Sequence, residues 1–350
     1  MNHETLDRTY FESNVVFNSQ YVFVQYDYNP TDRLNILAGF RYDNHSEYAS
    51  QFSPKLAANY KITEDFSLKA SVGYGYKAPD FRQLYFDFMN PSVGYTVLGY
   101  NVAESRLKEL EDQDQIASRT SGINFSEPLK AESAINFNFG TFYKRNKFRL
   151  DVNAFYNSIS NLIDTQVIAL KRSGQNVFSS TNISEIFTYG LEYNSTYNFS
   201  KEFTISLGYQ YLIAKDKSVV DNFENHKFVR PLGSGTIEIS KSDYFGLFNR
   251  SKHTANIKFL YSIPTIKTDI NLRVFYRSKY GMFDTNGNQV LDQYDRFVKG
   301  YVQTNLSVSK QIEEKFMLQA GANNLFDYTN PNQINNLAGR QIFARIQYNF

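Results

Sequence analysis

The stretch Gln341-Ile342-Phe343-Ala344-Arg345-Ile346-Gln347-Tyr348-Asn349-Phe350 decides the fold. Its even positions are Ile, Ala, Ile, Tyr and Phe; its odd positions are Gln, Phe, Arg, Gln and Asn. Side chains on a β-strand alternate between two faces, so this segment presents one apolar face and one mostly polar face. The pattern recurs upstream. Leu34, Ile36, Ala38, Phe40 and Tyr42 alternate with Asn35, Gly39, Arg41 and Asp43. Phe66, Leu68, Ala70, Val72, Tyr74 and Tyr76 alternate with Ser67, Lys69, Ser71, Gly73 and Gly75. Phe148, Leu150, Val152 and Ala154 face away from Arg149, Asp151 and Asn153; Ile270, Leu272, Val274 and Tyr276 face away from Asn271, Arg273 and Arg277.

A soluble β-sandwich also alternates, but its outer face is water-exposed and rich in Lys and Glu. Here the polar face mixes Asn, Ser, Gly, Gln, Arg and Asp, which suits a wet lumen. Tyr28, Tyr42, Tyr76, Tyr156, Tyr197, Tyr211, Tyr261, Tyr276 and Tyr348 sit at strand ends on the apolar face, as an interfacial aromatic girdle would. The reading is an all-β protein, an antiparallel transmembrane β-barrel in the outer membrane, with lipid against its apolar stripe. Tyr348 and Phe350 are then the barrel assembly signal, addressed to the barrel assembly machinery. Mean hydropathy is −0.47, and no run approaches the ~18 apolar residues of a membrane helix. A barrel escapes that test because only alternate residues meet lipid.

Among 350 residues there are 27 Tyr and 31 Phe but no Cys, which removes disulfides, thiolate chemistry and zinc–thiolate sites. The net charge of +2 implies no nucleic-acid partner. No Gly-x-Ser-x-Gly, His-Glu-x-x-His or phosphate-binding glycine loop occurs, so no enzyme and no cofactor are expected.

Turn signals divide the chain into about thirteen strands, near 14–28, 33–43, 52–61, 66–76, 131–144, 148–159, 183–198, 202–213, 251–262, 267–278, 300–310, 315–325 and 339–350. Their connections alternate between short, as at Thr63-Glu64-Asp65 and Arg145-Asn146-Lys147, and long, at 77–130, 160–182, 214–250, 279–299 and 327–338. Short periplasmic turns and long exterior loops are the outer-membrane arrangement. A helix is expected over 103–118, which is rich in Glu, Lys and Leu. Single-chain bacterial barrels have even strand numbers. An odd count, together with a start at Met1 that lacks an apolar signal segment, points to a strand missed or to an N-terminally truncated barrel.

Several stretches resemble TonB-dependent outer-membrane receptors of the Bacteroidetes type. They are Gly39-Phe40-Arg41-Tyr42-Asp43, Ser53-Pro54-Lys55-Leu56-Ala57, the run from Ala70 to Tyr85, Tyr189-Gly190-Leu191-Glu192, Asn323-Asn324-Leu325-Phe326-Asp327 and Ala338-Gly339-Arg340. Their order spans nearly the whole chain. The resemblance implies a 22-stranded barrel with a plug in its lumen, of which residues 1–350 would be the C-terminal portion. It also implies TonB as a partner acting through an upstream plug. The cargo would be a scarce nutrient, most commonly a small-molecule ferric siderophore, with haem, cobalamin, glycan and peptide as other cargoes.

The loop 77–130 far exceeds an ordinary turn, and loops of that length are functional or disordered more often than structural. Arg82, Gln83, Tyr85 and Tyr95 in it, and His226 in a later loop, are ligand-binding candidates. Arg offers a planar fork to anionic oxygens and Tyr stacks or hydrogen-bonds. The plainer alternative is that this segment shapes the strand exit. Arg41, Arg149, Arg273, Arg277 and Arg345 face the lumen, where they line an anion path or pair with Asp43, Asp151, Asp269 or plug carboxylates. Tyr76-Lys77-Ala78-Pro79 is similar to an element of haem receptors, but Lys77 stands where those carry Arg, and Asn90-Pro91-Ser92-Val93 echoes the rest only in part. Asp284-Thr285-Asn286-Gly287-Asn288 with Asp292 has the spacing of a calcium loop without its terminal Glu, and reads as a turn, so no metal site is assigned. A passive outer-membrane porin-like channel is the rival of another class.

Overall fold

The computed structural model describes residues 2–6, 15–46, 48–120, 122–183, 185–225, 228–232, 234–288, 290–334 and 337–348. Fourteen strands form one sheet: β1 (Asn2–Leu6), β2 (Val15–Thr31), β3 (Leu34–His45), β4 (Gln51–Lys61), β5 (Phe66–Lys77), β6 (Glu132–Arg145), β7 (Phe148–Ser160), β8 (Ile186–Asn198), β9 (Phe203–Asp216), β10 (His253–Ile263), β11 (Thr268–Arg277), β12 (Tyr301–Gln311), β13 (Phe316–Asn323) and β14 (Gln341–Tyr348). Each strand pairs antiparallel with the next in the chain. All thirteen expected strands are present, and β1 is the one the alternation did not reveal. Among the described residues β1 and β14 pair with no further strand, so the sheet has two free edges.

The register keeps like with like. Leu272 lies opposite Phe259 on one side and Leu306 on the other, while Arg273 lies opposite Lys258 and Asn305. Among the described residues nothing packs over the apolar face: Ile342 is 82% exposed, Ile346 74% and Val22 55%. No helix is long and apolar enough to cross a membrane among the described residues.

One end of the sheet has tight turns, such as Asn146-Lys147, where Asn146 takes a left-handed conformation. The buried core of the protein lies beyond the other end. Loops 78–131 and 161–185 combine into a five-stranded sheet in the order Asp87–Met89, Thr96–Leu98, Asn176–Asn182, Ile163–Lys171, Ile116–Arg119. A helix, Tyr100–Asp112, packs on it through Val102, Ala103, Leu107 and Leu110 against Leu98, Ile168, Ala169 and Val177. This helix starts and ends earlier than the 103–118 expected. Asp114 turns left-handed just beyond it, and Ile116–Arg119 becomes an edge strand on Ile163–Lys171. Gly99 allows the helix to begin where it does, because a Cβ there would lie 2.3 Å from the Tyr85 backbone nitrogen. A smaller cluster ties loops 217–252 and 278–300 together through Ile239, Tyr244 and Val290.

Candidate functional site

The loop candidates fall in the five-stranded cap. Asp80 caps the short helix Phe81–Tyr85, and Gln83 completes a reciprocal capping box: its N–H donates to Asp80 Oδ1 at 2.8 Å, and its Oε1 accepts from the Asp80 N–H at 2.9 Å. Arg82 is exposed, its guanidinium 5.4 Å from the Phe86 ring centre. Tyr85 packs against both apolar clusters of the cap. Tyr95 meets Phe88 and Phe178 edge-on. Gln83, Tyr85 and Tyr95 therefore hold the cap together, and Arg82 alone of the four presents its charge outward. His226 and Phe350 lie outside the described residues. Tyr348 packs on Phe316 at 4.8 Å.

Further contacts fix the cap to the sheet. Phe17 of β2 stacks on Phe81 at 3.9 Å. Tyr100 donates from its hydroxyl to the carbonyls of Asn124 and Glu127, and burial raises its pKa above the ordinary tyrosine value. Arg119 reaches Glu111 and Glu104 from the edge strand, which holds its guanidinium more firmly protonated than usual. Lys171 is buried and donates to the Gly94 carbonyl at 3.0 Å; desolvation lowers its pKa.

The polar face of the sheet divides into two walls. On β3–β7, Arg41 grips Asp43 through two nitrogens at 2.7 Å, Lys77 meets Glu132 at 2.9 Å and Lys69 meets Asp151 at 3.5 Å. Arg149 instead lies over the Phe142 ring. On β10–β12 no cation forms an ion pair with a described residue. Lys258 and Arg273 are direct cross-strand neighbours, as are Thr254 and Arg277. The register continues one step, since Ser278 N–H donates to the His253 carbonyl at 2.9 Å, and Lys252 and Lys279 follow just beyond, 4.4 and 5.9 Å from the Phe245 ring centre. Burial and then the charge of Lys279 lower the Lys252 pKa. Arg273 sits 4.4 Å from the Phe275 ring centre and Arg277 3.9 Å from that of Tyr280. Arg277 also donates to Ser251 Oγ and the Asn249 carbonyl. Asp269, offered as a partner for these arginines, accepts from Ser262 Oγ. Arg345 lies opposite Gln319 near the free edge and forms no ion pair with a described residue.

The Asp284 loop is closed by its own groups. Asp292 accepts from the Asn286 and Asn288 amides, and Asp295 from Thr285, as a turn would have them. The nearby Tyr244 phenol is pushed up to about 12 by burial.

This is a two-faced antiparallel sheet, bare on its apolar side and carrying folded loops at one end. A family profile described as "TonB dependent receptor-like, beta-barrel" matches residues 5–325. The chain belongs to the TonB-dependent receptor β-barrel family. This receptor barrel is 23% identical to the probable TonB-dependent siderophore receptor PirA of Acinetobacter baumannii, across 98% of this chain and 44% of that protein. It is 22% identical to the ferric enterobactin receptor of Pseudomonas aeruginosa, across 83% of this chain and 35% of that one. The crystal structure of the A. baumannii siderophore receptor PirA superposes with a TM-score of 0.65 at 18% identity, covering 97% of this chain and 46% of that one. The receptor barrel thus spans less than half the length of these relatives. It is an outer-membrane β-barrel protein.

Proposed function

We propose that the chain is the C-terminal barrel portion of a TonB-dependent receptor that takes up a ferric siderophore. The carrying observation is the family match across residues 5–325, joined to relatives whose names specify siderophore or ferric enterobactin receptors. The free edges of β1 and β14 support completion of the barrel by further strands, because unpaired backbone amides in hydrocarbon cost several kcal/mol each. Exterior loops and lumen wall receive the cargo. TonB, acting through a plug in the lumen, drives its release to the periplasm. The barrel assembly machinery inserts the chain into outer-membrane lipid, reading the terminal strand with Tyr348 and Phe350.

Deleting the complete gene and growing the strain on single iron sources tests this reading. Loss of growth on one ferric siderophore, restored by the gene, is the expected result. Undiminished growth on every ferric siderophore discards the iron reading. Uptake that persists without TonB would instead favour a passive channel.

A further inference from the structure

The sheet parts between β4 and β5. Their pairing ends at Lys55–Gly73, although β4 reaches on to Gln51 and β5 to Lys77. Pro54 comes next on β4 and has no N–H to donate. Each strand stays paired on its other side, β4 with β3 as far as Gln51–Asp43 and β5 with β6 as far as Lys77–Glu132. A recess of about 550 Å³ lies at this parting, toward the long loops. It is lined by Tyr48 and Gln51, by Tyr74 and Ser133, and by Lys130 and Asn161 from the stems of the cap. Tyr74 and Ser133 share the alternation of the exposed apolar residues Val72, Ile135 and Phe137, so the recess opens on the apolar side of the sheet and not toward the lumen.

Asn182 holds the rim of the recess in shape. Its Oδ1 accepts from the Lys130 N–H at 2.8 Å, and its Nδ2 donates to the carbonyls of Lys130 at 2.9 Å and Asn161 at 2.8 Å. Lys130 and Glu127, which also lines the recess, are exposed. Hydroxyls, amides, one ammonium and one carboxylate surround a single space, a set that suits sugar hydroxyls and a phosphate.

Nearer the middle of the same strands lies an apolar hollow of about 590 Å³, lined by Ala58, Ala70 and Ala154 with Leu56, Phe137 and Tyr156. In the cross-strand row Ala58–Ala70–Phe139–Ala154, three of the four side chains are single methyl groups, so the surface dips among its larger neighbours. Val72 in the hollow and Tyr74 in the recess are two residues apart on β5, about 7 Å along the strand.

The order of the two decides the occupant. An amphiphile seated here points its headgroup toward the long loops and its chains toward the middle of the sheet, as a lipid of the outer leaflet does. That leaflet of an outer membrane is built of acylated, phosphorylated sugars. We infer that β4–β7 carry a site for one such glycolipid, with the sugar phosphate in the recess, Lys130 on the phosphate, and acyl chains in the hollow. This rests on the reading that the apolar face meets lipid and the long loops meet the exterior; it is independent of the cargo.

The test uses the full-length receptor, stripped of lipid in detergent. The probes are a bisphosphorylated, acylated glucosamine disaccharide (lipid A) and dioleoyl phosphatidylglycerol, which is anionic but has no sugar of this kind. Native mass spectrometry should retain one lipid A per receptor, bound roughly tenfold or more tightly than the phosphatidylglycerol. Ala70→Phe/Ala154→Phe fills the hollow and should weaken lipid A binding roughly tenfold. Lys130→Gln should weaken it roughly threefold or more, and Lys130→Arg should restore most of that loss. Val308→Phe, on the apolar face of β12, should change it by less than about twofold. Thermal melting confirms that each variant is folded.

Lipid A affinity unchanged in both the double variant and Lys130→Gln overturns the inference. Equal affinity for the two lipids also overturns it, and means that the hollow takes any acyl chain. An equal loss from Val308→Phe overturns it as well, because the lipid is then held by the whole apolar face. If neither lipid binds while β11 keeps a lipid-facing period of two, this site falls alone. If that period is absent, the reading of the two faces falls with it.

Discussion

The sheet and the cap use the same apolar residue types against opposite surroundings. In the cap, Leu107 is 1% exposed and Val177 0%, buried against each other's neighbours. In the sheet, Ile342, Ile346, Tyr26 and Phe137 stand bare on one face. A water-soluble domain would not leave so large a contiguous apolar band uncovered. The cap is stabilised by the protein's own core; the apolar face of the sheet has no such cover among the described residues, and lipid is the cover proposed for it. The difference predicts that the two regions fail separately, and five substitutions grade it.

The largest effect is expected inside the cap. Leu107→Ala removes a side chain from the helix–sheet core and should cost about 2–5 kcal/mol of local stability. Hydrogen exchange should show faster opening over 96–120 and 163–182 with β10–β12 unaltered. Equal loosening of sheet and cap would mean that they are one cooperative unit.

Next comes the lipid face. Leu272→Arg should cost about 2–4 kcal/mol if the residue lies near the bilayer midplane, read by unfolding from lipid vesicles. Asn271→Arg, one residue away on the lumen face, should cost far less. Similar losses at both positions would reverse the assignment of faces.

Smaller changes sharpen the picture of how the cap is tethered. Tyr100→Phe leaves two carbonyls without their donor and should cost about 1–3 kcal/mol of cap stability, measured by the same exchange rates over 96–128. Arg119→Ala should cost about 1 kcal/mol or less, since its pairs with Glu104 and Glu111 are solvent-accessible. A larger loss from Arg119→Ala than from Tyr100→Phe would mean that charge, not burial, holds the edge strand.

Much of the sheet was legible because each strand carries its own record of two surroundings. Ile270, Leu272, Val274 and Tyr276 need no partner to reveal their common face. The short strand Asn2–Leu6 lacks that record: five residues hold too few alternations to stand out. The cap was legible only as an unusually long loop. Its sheet joins Thr96–Leu98 to Asn176–Asn182, a parallel pairing across about eighty residues that local periodicity does not encode. The helix reading reached too far for the same reason. Residues 116–119 carry no strong local preference, and the distant strand Ile163–Lys171 decides their conformation.

The site was legible in kind but not in arrangement. Arg41, Arg273 and Arg277 lie on the polar face the alternation assigns them. That Arg41 has Asp43 while Arg273 has Lys258 depends on register between strands. Lys252 and Lys279 come together just past the ends of β10 and β11, where both approach the ring of Phe245 from a loop. Gln83 and Tyr85 attract notice as polar and aromatic loop residues, yet the structure uses them for a capping box and for packing.

The account stands on hydrocarbon touching one face of each strand and water the other. Residues 1–350 contain no Cys, so single cysteines at 270–277 of β11 can be spin-labelled in vesicles in a full-length receptor whose remaining cysteines, where it has them, are replaced by Ser. Collision with oxygen should peak at 270, 272, 274 and 276, and collision with a water-soluble nickel chelate at 271, 273, 275 and 277. Profiles without a period of two, or with the two reagents exchanged in phase, would contradict it.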